Sequence, residues 1–231
     1  CADTALPVLL ARGIHPDACV VVEGQWHNLQ DFSLAPLPSS MEVWADLWSH
    51  GPTVRHIQDK GLKIRHFASL FQDEPSIRSL AASLGIPIIP ALGSVGICAL
   101  WLCLSMCRHA GAYVIHGLDF QPERAKGHAR GSPSHCGGLR SWNRCRPHPW
   151  LGSNWYPFDD KVLASYGKLA LEAIACFPEK TSLLFDARRA GVSLGLGEWV
   201  ARGPGADMEA GDGHECLPER PVLPVSCMDA M

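Results

Sequence analysis

The stretch from Ser79 to Cys107 contains no Asp, Glu, Lys or Arg, and a run of that length cannot be left in water. It belongs in a bilayer or inside a folded core. A spanning helix needs about 20 consecutive apolar residues. Here Gly85, Pro87, Pro90, Gly93 and Gly96 interrupt the run, and the unbroken apolar part, Ile97 to Cys107, is too short. Buried core with no membrane span is therefore the expectation.

Within and just after this run the local signals change in a set order. Ile86-Pro-Ile-Ile-Pro90 is rich in β-branched residues, Gly93-Ser-Val-Gly96 is a turn without bulky side chains, and Ile97 to His109 is helix-compatible until Gly111. Ala112-Tyr-Val-Ile-His116 reads as a second strand. The order predicts residues 86–90 and 112–116 as adjacent buried strands joined by a helix over 96–109. It carries Gly117-Leu-Asp-Phe120 and His128-Ala-Arg-Gly-Ser132 to the carboxyl edge of the sheet, where open α/β sheets bind ligands.

The flanking chain continues the alternation. Ala5 to Gly13 reads as a short amphipathic helix and Ala18 to Glu23 as a strand; Asn28 to Ser40 reads as irregular, and Met41 to Trp48 fits a strand or a short helix. Leu62 to Phe67 alternates like a half-buried strand, and Asp73-Glu-Pro75 is a helix start for Ser76 to Leu84. Phe158 to Phe177 is an amphipathic helix followed by the strand Ser182 to Phe185. Repeated strand–helix units predict an α/β fold with a mostly parallel sheet and helices on both faces. The expected domain covers residues 1–202, and 203–231, rich in Gly, Pro, Asp and Glu, is expected to be a disordered tail.

Charge and cysteine usage narrow the chemistry. Residues 108–150 hold 7 Lys+Arg against 2 Asp+Glu, whereas residues 1–107 hold 6 against 9 and residues 151–231 hold 7 against 12. The only basic block thus coincides with the long Gly-, Ser- and Pro-rich loop from Gln121 to Asn154, which suits a small anionic ligand and gives no broad basic surface for nucleic acid. Ten cysteines are scattered over apolar segments without a signal peptide, and a reducing cytoplasm is the simpler compartment. His135-Cys136 and Cys145-x-x-His148 match no standard zinc spacing. Ala91-Leu-Gly-Ser-Val-Gly96 imitates a dinucleotide fingerprint with its first glycine replaced.

A wider pattern covers roughly residues 1–200. Ala2-Asp-Thr-Ala-Leu-Pro-Val-Leu-Leu-Ala-Arg-Gly-Ile-His-Pro-Asp17, Val20-Val-Val-Glu23, Gly93-Ser-Val95, Gly117-Leu-Asp-Phe120 and His128-Ala-Arg-Gly-Ser132 occur in the order seen in the MptE-like family, which the chain resembles. That family groups motility-associated (Maf) flagellin glycosyltransferases with archaeal 6-hydroxymethylpterin diphosphokinases. The resemblance implies a Rossmann-like α/β domain with a sialyltransferase-like layout that binds a nucleotide or nucleotide-sugar. The family's first strand and its glycine-rich turn would precede Cys1, so the chain is expected to be an N-terminally truncated fragment. Glu23 stands where many members carry Asp, and Ser132 where Thr is common.

The leading expectation is a transferase moving a nonulosonic acid from a CMP-sugar to a flagellin hydroxyl. In it His128 is the base or phosphate stabiliser, and Asp3 and Asp119 orient ribose or sugar hydroxyls. Thr4, Glu23 and the backbone of Gly93, Ser94, Val95 and Gly96 complete the nucleotide site, with hydroxyls from Ser94 and Ser132 and a cation from Arg130. The alternative is pyrophosphoryl transfer from ATP to a pterin alcohol, with Mg²⁺ on Asp3, Glu23 and Asp119. A third possibility is an inactive domain that binds a partner. In either enzyme reading Asp3, Glu23, Gly93, Ser94, Asp119 and His128 should converge on one cleft.

Overall fold

A computed structural model of the chain describes residues 1–34, 36–70, 75–106, 113–118, 131–133, 136, 160–177 and 183–185. Four strands, β1 (Ala18–Val21), β2 (Glu42–Asp46), β3 (Lys63–Leu70) and β4 (Ile88–Pro90), pair in parallel in that spatial order. Ala18 stands opposite Glu42, Glu42 opposite Lys63, and Ala68 opposite Ile88. On the free side of β1, Ala2 makes one further parallel bridge to Val20. The residues that follow Ala2, β1, β2, β3 and β4 therefore all emerge at one edge. A second parallel pair joins β5 (Tyr113–Ile115) to β6 (Leu183–Phe185).

The helices are α1 (Leu6–Leu10), α2 (Asn28–Ser33), α3 (Gly51–Asp59), α4 (Pro75–Leu84), α5 (Val95–Met106) and α6 (Asp160–Ala175). Successive strand residues point to opposite faces, so β1 sends Cys19 and Val21 one way and Val20 the other. The first face packs Cys19, Val21, Val43 and Ile64 against Leu6 of α1, Phe32 of α2 and Ile57 of α3. The second packs Val20, Trp44, Phe67 and Ile89 against α5 and α6. A parallel sheet covered on both faces explains why β1 reads as a continuous apolar run.

Helix α5 explains the charge-free stretch. Ile97, Cys98, Leu100, Trp101, Leu102, Leu104 and Met106 are all buried, covering most of its circumference, as expected of a helix placed between a sheet and another helix. Trp101 meets Phe177, just beyond α6, edge to face at 5.0 Å between ring centroids. Among the described residues no helix is long and apolar enough to cross a membrane.

Several expectations change. Among the described residues no strand pairing joins 86–90 to 112–116: β4 pairs with β3, and β5 pairs with β6. The helix between them does not return to the β4 edge but packs on β1, because its nearly all-round apolar surface needs the broad face of the sheet. Asn28 to Ser40 is not wholly irregular, since α2 forms over Asn28–Ser33 by burying Phe32 before Pro36 and Pro38 end any helix. Met41 to Trp48 resolves as β2, whose pairing partners on both sides decide it. Strand β3 does not alternate at its end, where Phe67, Ala68 and Ser69 are all buried. Residues 203–231 lie outside the described residues.

Candidate functional site at the carboxyl edge

Asp3 opens a 3-10 turn, Asp3–Ala5, directly after the Ala2 bridge, and its side chain is only 2% exposed. One carboxyl oxygen, Oδ1, accepts the Thr4 N–H at 2.7 Å, and the other, Oδ2, accepts Asn28 Nδ2–H, also at 2.7 Å. Burial pushes its pKa up to about 6, because these two donors only partly replace the lost water, and the charge of Glu23 pushes the same way. Glu23 follows β1, is half-buried, and accepts the Gln25 N–H at 2.9 Å. Asp3 and Glu23 are thus electrostatic neighbours at one edge.

Asn28 begins α2, is 1% exposed, and its Oδ1 is buried without a hydrogen-bond partner. Its amide is oriented by Asp3, so this carbonyl oxygen is a fixed acceptor beside the carboxyl group. The Cys19 thiol of β1 lies in the core beside Leu6 and Phe32 and is raised by burial and by the charge of Asp3.

A second buried acid closes β2. Asp46 accepts the Ser69 hydroxyl of β3 and the Trp48 N–H, the latter at 3.1 Å, and burial raises its pKa against those bonds. The loop after β2 then contacts the loop after β1: the His50 N–H donates to the Glu23 carbonyl at 3.0 Å, and the Ser49 hydroxyl donates to the Val21 carbonyl at 3.0 Å. His50 leads into α3 with Nδ1 2.9 Å from the Thr53 hydroxyl.

The glycine turn after β4 meets the same edge through α5. Cys98, in the first turns of α5, packs in one cluster with Val20 of β1 and Trp44 of β2, and burial pushes its thiol up to about 12. Gly93 has φ +69, a conformation that disfavours any side chain, and a Cβ there would lie 2.8 Å from the Tyr166 ring of α6. The Ser94 N–H turns back to the Leu92 carbonyl at 2.8 Å, while the Ser94 carbonyl accepts from Ile97 and Cys98. Of the amides assigned to phosphate, that of Ser94 is therefore engaged, and the free helix end is supplied by Val95 and Gly96. The hydroxyl-bearing Ser132 is fully buried, and its carbonyl accepts the Cys136 N–H at 2.9 Å.

Asp3, Glu23 and the start of α5 each follow a parallel strand or bridge and so emerge at the same edge of the sheet. Asp119, His128 and Arg130 lie outside the described residues, although Leu118, next to Asp119, packs on Gly96, where a Cβ would come within 2.4 Å of its Cδ2. Thr4 contributes its backbone N–H to Asp3. Among the described residues no group of three or more His, Cys, Asp or Glu is placed to hold a metal. Sequence reading missed Asn28, Asp46, Trp48 and Ser69. Asp46 and Trp48 sit in the segment whose strand character depended on its neighbours, and Asn28 sits where a loop was expected.

The fold and edge define an α/β protein with a parallel sheet, helices on both faces and buried acids at the carboxyl ends of its strands. Comparison with protein-family models, with characterised proteins and with solved structures gave no match.

Proposed function

We propose that this chain is the nucleotide-binding part of a transferase whose donor lies along the carboxyl edge, between Asp3 and Glu23 and the start of α5. The observation that carries the reading is the parallel register, which brings Asp3, Glu23, Asp46 and the α5 N-terminus out at one edge of the sheet. A helix end holds phosphate oxygens by its amides, and carboxylates accept ribose or sugar hydroxyls. With the motif order from Asp3 to Ser132, the reading is a Rossmann-like, sialyltransferase-like domain of Maf type. It transfers a nonulosonic acid from a CMP-sugar to a flagellin hydroxyl in the cytoplasm.

In this reading the Asp3 carboxyl, oriented by Thr4 and Asn28, positions a donor hydroxyl, and Val95 and Gly96 hold phosphate. His128 takes the acceptor proton as the glycosyl bond to the phosphate breaks. A second reading, pyrophosphoryl transfer from ATP to a pterin alcohol, draws on the mutual repulsion of Asp3 and Glu23, which a divalent cation would relieve. There Asp3 and Glu23 would supply two hard oxygen ligands, with Asp119 as the third, and the ion would neutralise the triphosphate.

The test is binding and turnover by the full chain. Binding of CMP, followed calorimetrically, should persist in EDTA, and His128→Ala should lower sugar transfer about 10²–10⁴-fold with CMP binding kept. Magnesium-dependent conversion of a pterin alcohol to its diphosphate, with no transfer from CMP-sugars, rejects the first reading for the second.

A further inference from the structure

Two large aromatic side chains stand exposed on the loops that border Glu23: Trp26, 66% exposed, on the loop after β1, and Trp48, 50% exposed, on the loop after β2. Both indoles occur on loops at the edge that carries the acids. They differ in how they are held. Trp26 leans on the neighbouring His27 ring, edge to face at 5.7 Å. Trp48 is fixed at two points: its N–H donates to Asp46 Oδ1 at 3.1 Å and its indole Nε1–H donates to the Ser69 carbonyl at 3.3 Å; its carbonyl lies close enough to Gly24 that a Cβ there would be 3.1 Å away. Asp46 is itself held by the Ser69 hydroxyl, so one buried acid and one serine set the indole plane.

We propose that Trp48 is the platform on which the planar base of the nucleotide stacks, with Asp46 and Ser69 as its positioning residues; this rests on the nucleotide reading above. An indole whose only hydrogen-bond donor points inward offers solvent an apolar π face and nothing else. That is the chemistry of base stacking, which tolerates any heterocycle because each has a π face. The platform lies one loop from Glu23, as the His50 N–H bond to the Glu23 carbonyl requires. A base on Trp48 would sit beside the loop that carries Glu23. Gly24 is where the two loops touch, and a side chain there would push the Trp48 backbone away.

The experiment titrates CMP, ATP and ribose 5-phosphate into the full chain and its Trp48→Phe and Trp48→Leu variants. CMP affinity should fall in the order Trp, Phe, Leu, with Trp48→Leu weaker by roughly 5- to 100-fold, the weight of one base–aromatic stack. Binding of ribose 5-phosphate, which has no base, should be unchanged. Saturating CMP should also quench a fluorescence component present in the wild type and absent from the folded Trp48→Phe variant, a readout independent of Trp48→Leu. If CMP affinity is unaltered by Trp48→Leu while Asp3→Ala abolishes it, the platform is wrong and the nucleotide site stands. Equal loss of ribose 5-phosphate and CMP binding also overturns it, as a structural role. A wild-type chain that binds neither CMP nor ATP ends the nucleotide reading and the platform together.

Discussion

Asn28 donates from Nδ2 to Oδ2 of Asp3 at 2.7 Å, joining two residues 25 positions apart at the edge of the sheet. The bond orients a carboxyl group that is buried and raised to a pKa of about 6, so Asp3 is charged at neutral pH at a cost to the fold. Such tension between burial and charge is expected of a group kept for its chemistry rather than for stability.

The pH dependence follows from the sign of that shift. Because the folded pKa lies above the unfolded value of 3.8, the folded state holds the Asp3 proton more tightly, and this contribution is complete below about pH 4 and lost as pH rises through about 6. Asp3→Asn keeps an acceptor for Thr4, and a flip of the Asn28 amide lets Asn28 Oδ1 accept the new Nδ2–H in place of the bond Asn28 Nδ2 made. At pH 7 it should be more stable than the wild type by roughly 1–3 kcal/mol, the gap closing toward pH 4. Urea midpoints at pH 4 and 7 check this; a gap that does not vary with pH would contradict it.

Ser69→Ala removes the hydroxyl that Asp46 accepts inside the sheet. A buried carboxyl oxygen is left short of a donor, which costs about 1–3 kcal/mol. Since the carboxylate needs the donor most, the loss should be larger at pH 7 than at pH 4. Thermal unfolding at both pH values tests it, and equal losses would assign the effect to packing alone.

Gly93→Ala combines two penalties, a positive φ and a contact with the Tyr166 ring. Left-handed backbone alone costs an alanine about 1–2 kcal/mol. The steric part should be relieved in a Gly93→Ala/Tyr166→Ala double variant, and the backbone part should not. A double-variant cycle by chemical denaturation separates them; strict additivity would mean that Tyr166 does not touch the turn.

Trp101→Ala removes the largest fully buried side chain and its edge-to-face contact with Phe177. The loss should be about 3–5 kcal/mol. A change below 1 kcal/mol in the unfolding free energy would show that α5 is not the core helix described above.

Local chemistry makes much of this chain legible from residue order alone. The charge-free run over Ser79 to Cys107 demands burial, β-branched residues mark β1 and β4, and Gly85 and Pro75 bound α4, because each signal acts through neighbours in sequence. Asp3 and Glu23 are legible as acids just after strands, and their nearness follows from the parallel register. What tertiary structure decided was pairing and partnership. Strand β4 paired with β3, β5 paired with β6, and α5, apolar nearly all round, was buried between β1 and α6. Glu42 to Asp46 became a strand because a partner was available on each side, and that placed Asp46 against Ser69 and fixed Trp48 in the loop that follows. Asn28 met Asp3 because burying Phe32 wound α2 beneath the edge. These contacts join residues far apart in the chain, and no local pattern encodes which distant surface will be free to receive them.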